Sequence, residues 1–381
     1  FGCSNGALLT PIAADDDYQR RNPDAVLAPF HVFSTNAEAL RLYPPDDLVT
    51  FELSGAPGRA TAACGIGIYR DVALGDDFQN DAFTCEPVHQ AVHRIDFQAS
   101  HDTFIGRRGV GEKSREFLSS TDRWFRPVQV RTGPDGALWI VDMYRYVIEH
   151  SRWIPQSSLN DLDIYAGQGR GRIYRILPRQ SQEPPTPQPV IPNLTALTDA
   201  QLATAIDSSN GTTRDLAHQL LLWRQAKNVA PDLRHVAIDS QLSAARIQAL
   251  AALDGLGKLT PDDINRALQS QRAEVQRFAV KLSEPWLNET PALRAAVVQL
   301  TATESLRLRR QVALSLGAST QADAARAIAR LLSSQQDHRV RSAAFHSAST
   351  GNLRQVVQGF RLLPTQQQSL RTWHQLLETT A

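Results

Sequence analysis

The chain has 381 residues, more than one typical domain, and we therefore expect two domains. Its apolar and charged fractions, 42% and 21%, are those of an ordinary globular protein. The net charge of +1 argues against a nucleic-acid or anionic-membrane partner, and no apolar run approaches the roughly 20 residues of a transmembrane helix. The chain starts at Phe1 with no signal-peptide pattern, which indicates a piece of a longer or processed protein.

Short strands separated by turns characterise residues 61–178, and this spacing is typical of a propeller, sandwich or barrel. The clearest unit is a hairpin in which residues 128–131 alternate apolar and polar side chains. A turn follows at G-P-D-G (133–136), where Pro fixes φ and Gly accepts positive φ. The apolar run 137–141 then leads to Asp142, a polar residue at the end of the second strand.

A Pro-rich stretch over residues 179–194 predicts an extended linker between the two domains. Residues 195–381 have the composition of helices and contain an internal repeat. An Arg occupies the position three residues before the repeated alanine in four units, and Gln276 takes that position in the third. This repeated polar position predicts either a hydrogen bond between repeats or a ridge of solvated side chains. The repeat predicts an α-solenoid of HEAT-like units, with its alanines at Ala217, Ala249, Ala279, Ala313 and Ala344.

The three cysteines are Cys3, Cys64 and Cys85, and no C-x-x-C occurs. A zinc ribbon and a c-type haem attachment inside this chain are therefore excluded. Cys64 and Cys85 both lie in strand-like runs that two neighbouring strands could bring together. A disulfide and two small buried thiols both remain open interpretations.

Five segments of the chain stand out: A-C-G-I-G-I-Y-R (63–70), F-T-C-E-P-V-H-Q-A-V-H-R (83–94), R-E-F-L-S-S-T-D-R-W-F-R-P-V (115–128), G-P-D-G-A-L-W-I-V-D-M-Y-R-Y-V-I-E-H (133–150) and G-R-I-Y-R-I (171–176). They resemble the membrane-bound dehydrogenases predicted in planctomycetes and related bacteria. That family combines a quinoprotein-dehydrogenase-like β-propeller with HEAT repeats and often a c-type haem domain. The resemblance covers residues 1–178 specifically and the solenoid only in kind. Because 178 residues provide roughly four blades at most, we expect the last blades of the propeller.

The resemblance implies a site for pyrroloquinoline quinone (PQQ) and calcium. His89 would be the catalytic base, and Arg126 or Arg145 would bind the quinone carboxylates. His89 and His93 have an alternative interpretation, in which they cap loop carbonyls; a transition-metal site would lack a third ligand. The remaining candidates are Tyr144 for the cofactor, Asp142 as a calcium ligand or orienting group, and Glu86 as a group that orients His89 or binds the cation.

The sequence leaves two functional interpretations open. The first is a fragment of a periplasmic PQQ-type dehydrogenase that oxidises a sugar or other alcohol and passes electrons to a haem c domain. The alternative is a non-catalytic propeller and HEAT scaffold, whose solenoid binds a protein partner on its concave face.

Overall fold

Antiparallel sheets come first along the chain and helices follow, so the predicted β + α architecture is confirmed. This computed structural model describes residues 2–4, 7–11, 18, 21, 30–33, 37–46, 58–100, 103–178, 191–333, 338–364 and 372. Most of the predicted linker, residues 179–190, lies outside the described residues. None of the helices in the described ranges is long and apolar enough to cross a bilayer.

The described strands form antiparallel sheets with the orders β1-β2-β3, β4-β5-β6-β7 and β11-β10-β9, and β8 also pairs with β6. Two short helices, α1 (Ala37–Leu40) and α2 (Gln156–Leu159), lie between them. The strands are β1 (Gly2–Ser4), β2 (Ala7–Pro11), β3 (Phe30–Phe33), β4 (Cys64–Ile68), β5 (Ala82–Glu86), β6 (Ala91–Ser100), β7 (Thr103–Arg107), β8 (Leu118–Ser119), β9 (Pro127–Thr132), β10 (Leu138–Asp142) and β11 (Arg172–Ile176).

The predicted hairpin is β9 and β10, and it packs against the β4–β5 pair. Two glycines in β4 make this packing possible. A Cβ atom on Gly65 would lie 2.2 Å from the carbonyl oxygen of Val128, and one on Gly67 would lie 2.5 Å from that of Val130. Strand β4 therefore approaches β9 more closely than any residue with a side chain allows. The shared core contains Tyr69, Phe83, Cys85, Val92, Leu138 and Ile140.

The helical region consists of two rows in which each described helix contacts its neighbours in the row, and each helix of row B contacts the row A helix that precedes it. Row A contains α3 (Asp199–Ala205), α5 (Ala230–Asp239), α7 (Pro261–Leu268), α9 (Pro291–Gln299), α11 (Ala322–Ser333) and α13 (Leu353–Arg361). Row B contains α4 (Gly211–Trp223), α6 (Ser243–Gly255), α8 (Ala273–Leu282), α10 (Leu306–Leu316) and α12 (His338–Ser347). The five repeated alanines all lie in row B and are fully buried, which lets successive helices approach closely.

The polar residue three positions before the repeated alanine bonds within its own helix pair. Arg246 Nε donates to the carbonyl of Ala237 at 2.9 Å, near the end of the preceding helix α5. Gln276 Nε2 donates to the carbonyl of Leu268 at 2.9 Å, at the end of α7. Since the last carbonyls of a helix have no intrahelical partner, this position satisfies one of them in each pair. In these two pairs the bond is thus neither between repeats nor on a solvated ridge.

The β region joins the first helix pair through several polar contacts. The Gly211 backbone N–H donates to the Arg70 carbonyl at 2.7 Å, and the Arg70 guanidinium pairs with Asp215 at 2.5 and 3.1 Å. Asn210 Nδ2 donates to the Gly133 carbonyl at 2.8 Å, so the turn of the hairpin also meets the helical region. The start of helix α4 is thus bonded to both strand pairs of the β core.

A second contact lies farther along the helical region. The Arg307 guanidinium of α10 stacks 3.9 Å from the ring centroid of Phe104 in β7. Row B is therefore touched by the β region at its first helix and again at α10.

Candidate functional site

Asp142 ends strand β10 with its side chain turned into the protein. It is only 1% exposed, and its Oδ1 accepts hydrogen bonds from the backbone N–H groups of Arg126 and Tyr144, both at 2.8 Å. Tyr144 has φ of 51°, and the Asp142 side chain thus supports a turn in the left-handed region. Oδ2 of Asp142 has no hydrogen-bond partner among the described groups. Backbone N–H groups therefore satisfy one oxygen of this carboxylate and leave the other without a described donor.

The side chain of Arg126 is tied to backbone carbonyls. Its Nε donates to Arg145 O at 2.9 Å, one terminal nitrogen donates to Pro87 O at 2.7 Å, and the other donates to Tyr146 O at 2.9 Å. The residue is 5% exposed, and burial lowers the pKa of its guanidinium. Arg126 therefore connects the turn before β6 with the loop after β10 through bonds from all three of its side-chain nitrogens.

His89 and Glu86 form a buried pair in the turn between β5 and β6. Glu86 Oε2 accepts from both the backbone N–H of His89 at 2.7 Å and its Nδ1 at 2.8 Å. On the other side of the ring, Nε2 accepts from the Gly58 N–H at 3.2 Å, which makes His89 the neutral Nδ1–H tautomer. The remaining oxygen of Glu86 accepts from the N–H groups of Thr61 and Ala62, at 3.0 and 2.6 Å.

The pKa of Glu86 lies below its usual value although burial, the largest single influence, raises it. The hydrogen bonds that Glu86 accepts from His89 and from backbone N–H groups outweigh that burial. His89 is 0% exposed and both of its ring nitrogens are taken, so no nitrogen is left to accept a proton from a substrate hydroxyl.

Tyr144 and Arg145 lie at the surface beside this buried set. The Arg172 guanidinium stacks 3.5 Å from the Tyr144 ring centroid, and the Trp124 ring lies 5.6 Å away. Arg145 donates to the carbonyl of Tyr165 at 2.6 Å. The structure thus links His89, Glu86 and Arg126 through the turn before β6, and it links Asp142 to Arg126 through the backbone. Tyr144 and Arg145 are the half-exposed members of the set.

The buried members of the predicted set do not fit the quinone and calcium implied by the resemblance. Calcium takes six to eight oxygen ligands, whereas Glu86 is saturated and Asp142 offers one oxygen. In the part of the chain that the structure describes, no three His, Cys, Asp or Glu side chains come together to hold a metal ion. All three nitrogens of the Arg126 guanidinium already donate to backbone carbonyls, so binding a quinone carboxylate would compete with these bonds.

His93 belongs to a second buried network, which links the β core to α1. Its Nε2 lies 2.8 Å from the Ala39 carbonyl and its Nδ1 lies 2.7 Å from Glu116 Oε2. Nε2 donates to this carbonyl, and a terminal nitrogen of Arg108 also lies 3.4 Å from Nδ1. Glu116 Oε1 also accepts from the Tyr43 N–H at 2.9 Å and from Arg108 at 3.0 Å. Burial raises the pKa of Glu116, but the bond and charge of His93 outweigh it and bring the pKa below its usual value. His93 thus bonds to a carbonyl of the short helix α1.

Arg94 forms a third buried network that sequence reasoning missed. Its Nε donates to Asp81 at 2.5 Å and a terminal nitrogen donates to Glu112 at 3.3 Å, while its guanidinium stacks 4.0 Å from the Phe78 ring centroid. Burial raises the pKa of Asp81 to about 6, although the bond from Arg94 opposes the rise. The signal was present in V-H-R (92–94), where two ionisable residues interrupt the apolar residues of one strand.

Cys64 and Cys85 occupy directly paired positions on β4 and β5. The expectation that neighbouring strands bring them together is confirmed. Both are thiols in this structure, so the disulfide stays a prediction for oxidising conditions. Intact mass before and after reduction and alkylation tests it, because only a bridged protein gains two alkylatable thiols on reduction.

Comparisons with known proteins add one family match. Residues 1–180 are similar to a family model described as a domain of unknown function (DUF7133). No curated protein matches the chain. Among solved structures, a crystal structure of an engineered protein from a structural genomics consortium shares 15% identity and a TM-score of 0.30. It covers 48% of this chain and 95% of its own, and a likeness at that TM-score carries no argument about function.

Proposed function

We propose that this chain is a non-catalytic interaction region. In this proposal the last blades of a β-propeller are held on a solenoid of HEAT-like repeats. The antiparallel sheets and the two rows of helices with buried alanines at a regular spacing support the two fold assignments. The contacts of helix α4 with Arg70 and Gly133 support a joint that holds the two regions as a unit.

One observation carries the functional part: the side chains expected to perform the chemistry are bonded to the protein's own backbone. Turning Arg126 toward a ligand would break three charge-assisted hydrogen bonds, each worth about 1.5–3 kcal/mol. Turning His89 outward would leave Glu86 and the Gly58 N–H unpaired in a buried place. These costs favour a structural role for both residues.

Calorimetric titration of PQQ with calcium tests the proposal directly on the intact chain. We expect no saturable binding and no dye reduction with a panel of sugars and alcohols. The matched variants are Arg145→Ala and Tyr144→Phe, since both residues are half-exposed and their loss leaves the buried networks in place. Saturable PQQ binding that either variant weakens would overturn the proposal and favour the dehydrogenase.

The periplasmic dehydrogenase stays a prediction for a longer protein that includes this chain. Saturable binding of PQQ by a longer chain, together with none by this one, would assign the quinone site to residues outside this sequence. It would leave the proposal for the present region unchanged.

A further inference from the structure

Tyr18 is inserted into the helical region although it lies far from those helices in the sequence. The side chain is 4% exposed and belongs to the same apolar core as the helix rows. Its hydroxyl donates to Glu284 Oε1, in the short 3-10 turn after α8, and accepts from Gln311 Nε2 of α10 at 2.9 Å. A buried tyrosine with a satisfied hydroxyl combines an apolar anchor with a directional one.

Arg21 lies three residues later in the sequence and binds the same carboxylate. Its guanidinium pairs with Glu284 Oε2 at 2.8 Å and donates to the carbonyl of Leu314 at 2.8 Å. It also stacks on the Tyr18 ring, 4.9 Å from the centroid. With side-chain exposures of 20% and 17%, the Arg21–Glu284 pair is shielded enough to contribute more than an exposed ion pair.

The helical region orients Glu284 by itself. Ser315 Oγ donates to Glu284 Oε1 at 2.7 Å, and Gln311 Nε2 donates to Ser315 Oγ at 3.0 Å. The carboxylate is therefore held in position by α10 independently of the residues that bind it. Preorganisation of this kind lowers the entropic cost of binding a ligand.

We infer that the Glu284–Gln311–Ser315 surface is a peptide-docking site for a segment that carries a Tyr and an Arg three residues apart. The chain's own Tyr18 and Arg21 are its resident occupant. The partner is a protein segment of the form Tyr-x-x-Arg, and this assignment rests on the proposed interaction function. The contacts above are made by the side chains of Tyr18 and Arg21. Because these contacts involve side chains, a separate segment that carries the same two side chains can make the same contacts.

The chain's own Tyr18 and Arg21 compete with any separate peptide for this surface. A tethered ligand acts at an effective concentration on the order of millimolar, so a partner peptide competes poorly while Tyr18 and Arg21 are present. Removing both side chains vacates the surface and exposes the full affinity for a separate peptide.

The test is fluorescence anisotropy with a labelled peptide A-A-D-D-D-Y-Q-R-R-N-P-D-A-V, which corresponds to residues 13–26. The full chain with Tyr18→Ala and Arg21→Ala should bind it saturably and at least tenfold more tightly than the unchanged chain does. Adding Glu284→Gln should weaken that binding at least tenfold. A control peptide with Ala in place of the Tyr and the second Arg should not bind.

A second measurement covers the case in which the vacated chain fails to fold. Hydrogen exchange of the segment around Tyr18 is followed by mass spectrometry on the ¹⁵N-labelled unchanged chain. Excess peptide should at least double the exchange of that segment, whereas the control peptide should not. No saturable binding by a folded vacated chain, equal binding of the control peptide, or unchanged exchange would overturn the inference. The PQQ titration is independent of this surface, so each proposal can fail alone.

Discussion

The β region and the helical region use their buried polar groups in different ways. In the β region, a single guanidinium or carboxylate joins segments that are far apart in sequence, as Arg126 does with Pro87 and Tyr146. In the helical region, polar bonds recur at nearly the same spacing: Arg234 with Asp263 and Arg294 with Asp323 are both 29 residues apart. The β region therefore depends on a few irreplaceable bonds, and the helical region distributes its bonds over repeated pairs.

Replacement of Arg126 by Ala should have the largest effect of the changes considered. It removes a buried side chain and leaves three carbonyl groups without donors, so we expect a loss of about 4 kcal/mol in the free energy of unfolding. Urea denaturation measures it. Arg145→Ala is the control and should cost less than 1 kcal/mol, because that side chain makes one hydrogen bond to the described residues, at 2.6 Å, near the surface. Equal losses of unfolding free energy in the two variants would contradict the structural role assigned to the buried bonds of Arg126.

Replacement of Gly65 by Ala should destabilise the β core by roughly 3 kcal/mol, because the new Cβ would collide with the backbone of β9. Gly169→Ala is the control that separates the steric clash of the new Cβ from the cost of a positive φ in a residue other than glycine. Gly169 also has positive φ, 76° against 58° for Gly65, but a Cβ there would meet nothing within 4 Å. We expect about 1 kcal/mol for Gly169→Ala in urea denaturation. Similar losses at both positions would contradict the close packing of β4 on β9.

Asp81 should make the stability of the β region depend on pH. Its folded pKa of about 6 exceeds the usual 3.8, so the folded state binds the proton more tightly than the unfolded state does. Stability from this group is therefore present near pH 4 and is lost as pH rises toward 6, by up to about 3 kcal/mol. Asp81→Asn should flatten that slope in urea denaturation at pH 4.5, 5.5 and 7. Parallel pH profiles of the two proteins would contradict the prediction. Glu86 and Glu116, whose pKa values are lowered, act in the opposite direction below about pH 4.5 in both proteins.

The smallest effect is expected in the helical region, at Gln276. Gln276→Ala removes one bond to the end of α7 and should cost about 1 kcal/mol. Gln276→Arg restores the residue type found at this position in the other units and should change the free energy of unfolding by less than about 0.5 kcal/mol. Thermal denaturation of the two variants, side by side, checks the order. A larger loss for the Arg variant would show that this position is not interchangeable between units.

The residue pattern by itself determined the broad order of the molecule. Alternating apolar residues around G-P-D-G predicted the β9–β10 hairpin, and regularly spaced alanines predicted the buried face of row B. These signals are local or periodic, because each element needs one apolar face to pack. The glycines of β4 were visible as G-I-G, but the carbonyls of β9 that require them come from a distant segment.

Only the tertiary structure decided what the polar residues do. In the sequence, His89 beside Glu86 is compatible with a catalytic base and with a loop support, since both use the same residue types. The deciding partner is the Gly58 N–H, 31 residues earlier in the chain, which occupies the second ring nitrogen. Tyr18 is a stronger case, because its partner Glu284 lies 266 residues away. The sequence specifies which donors and acceptors each side chain carries. Whether such a donor or acceptor is free to bind a ligand depends on which distant groups the fold places next to that side chain.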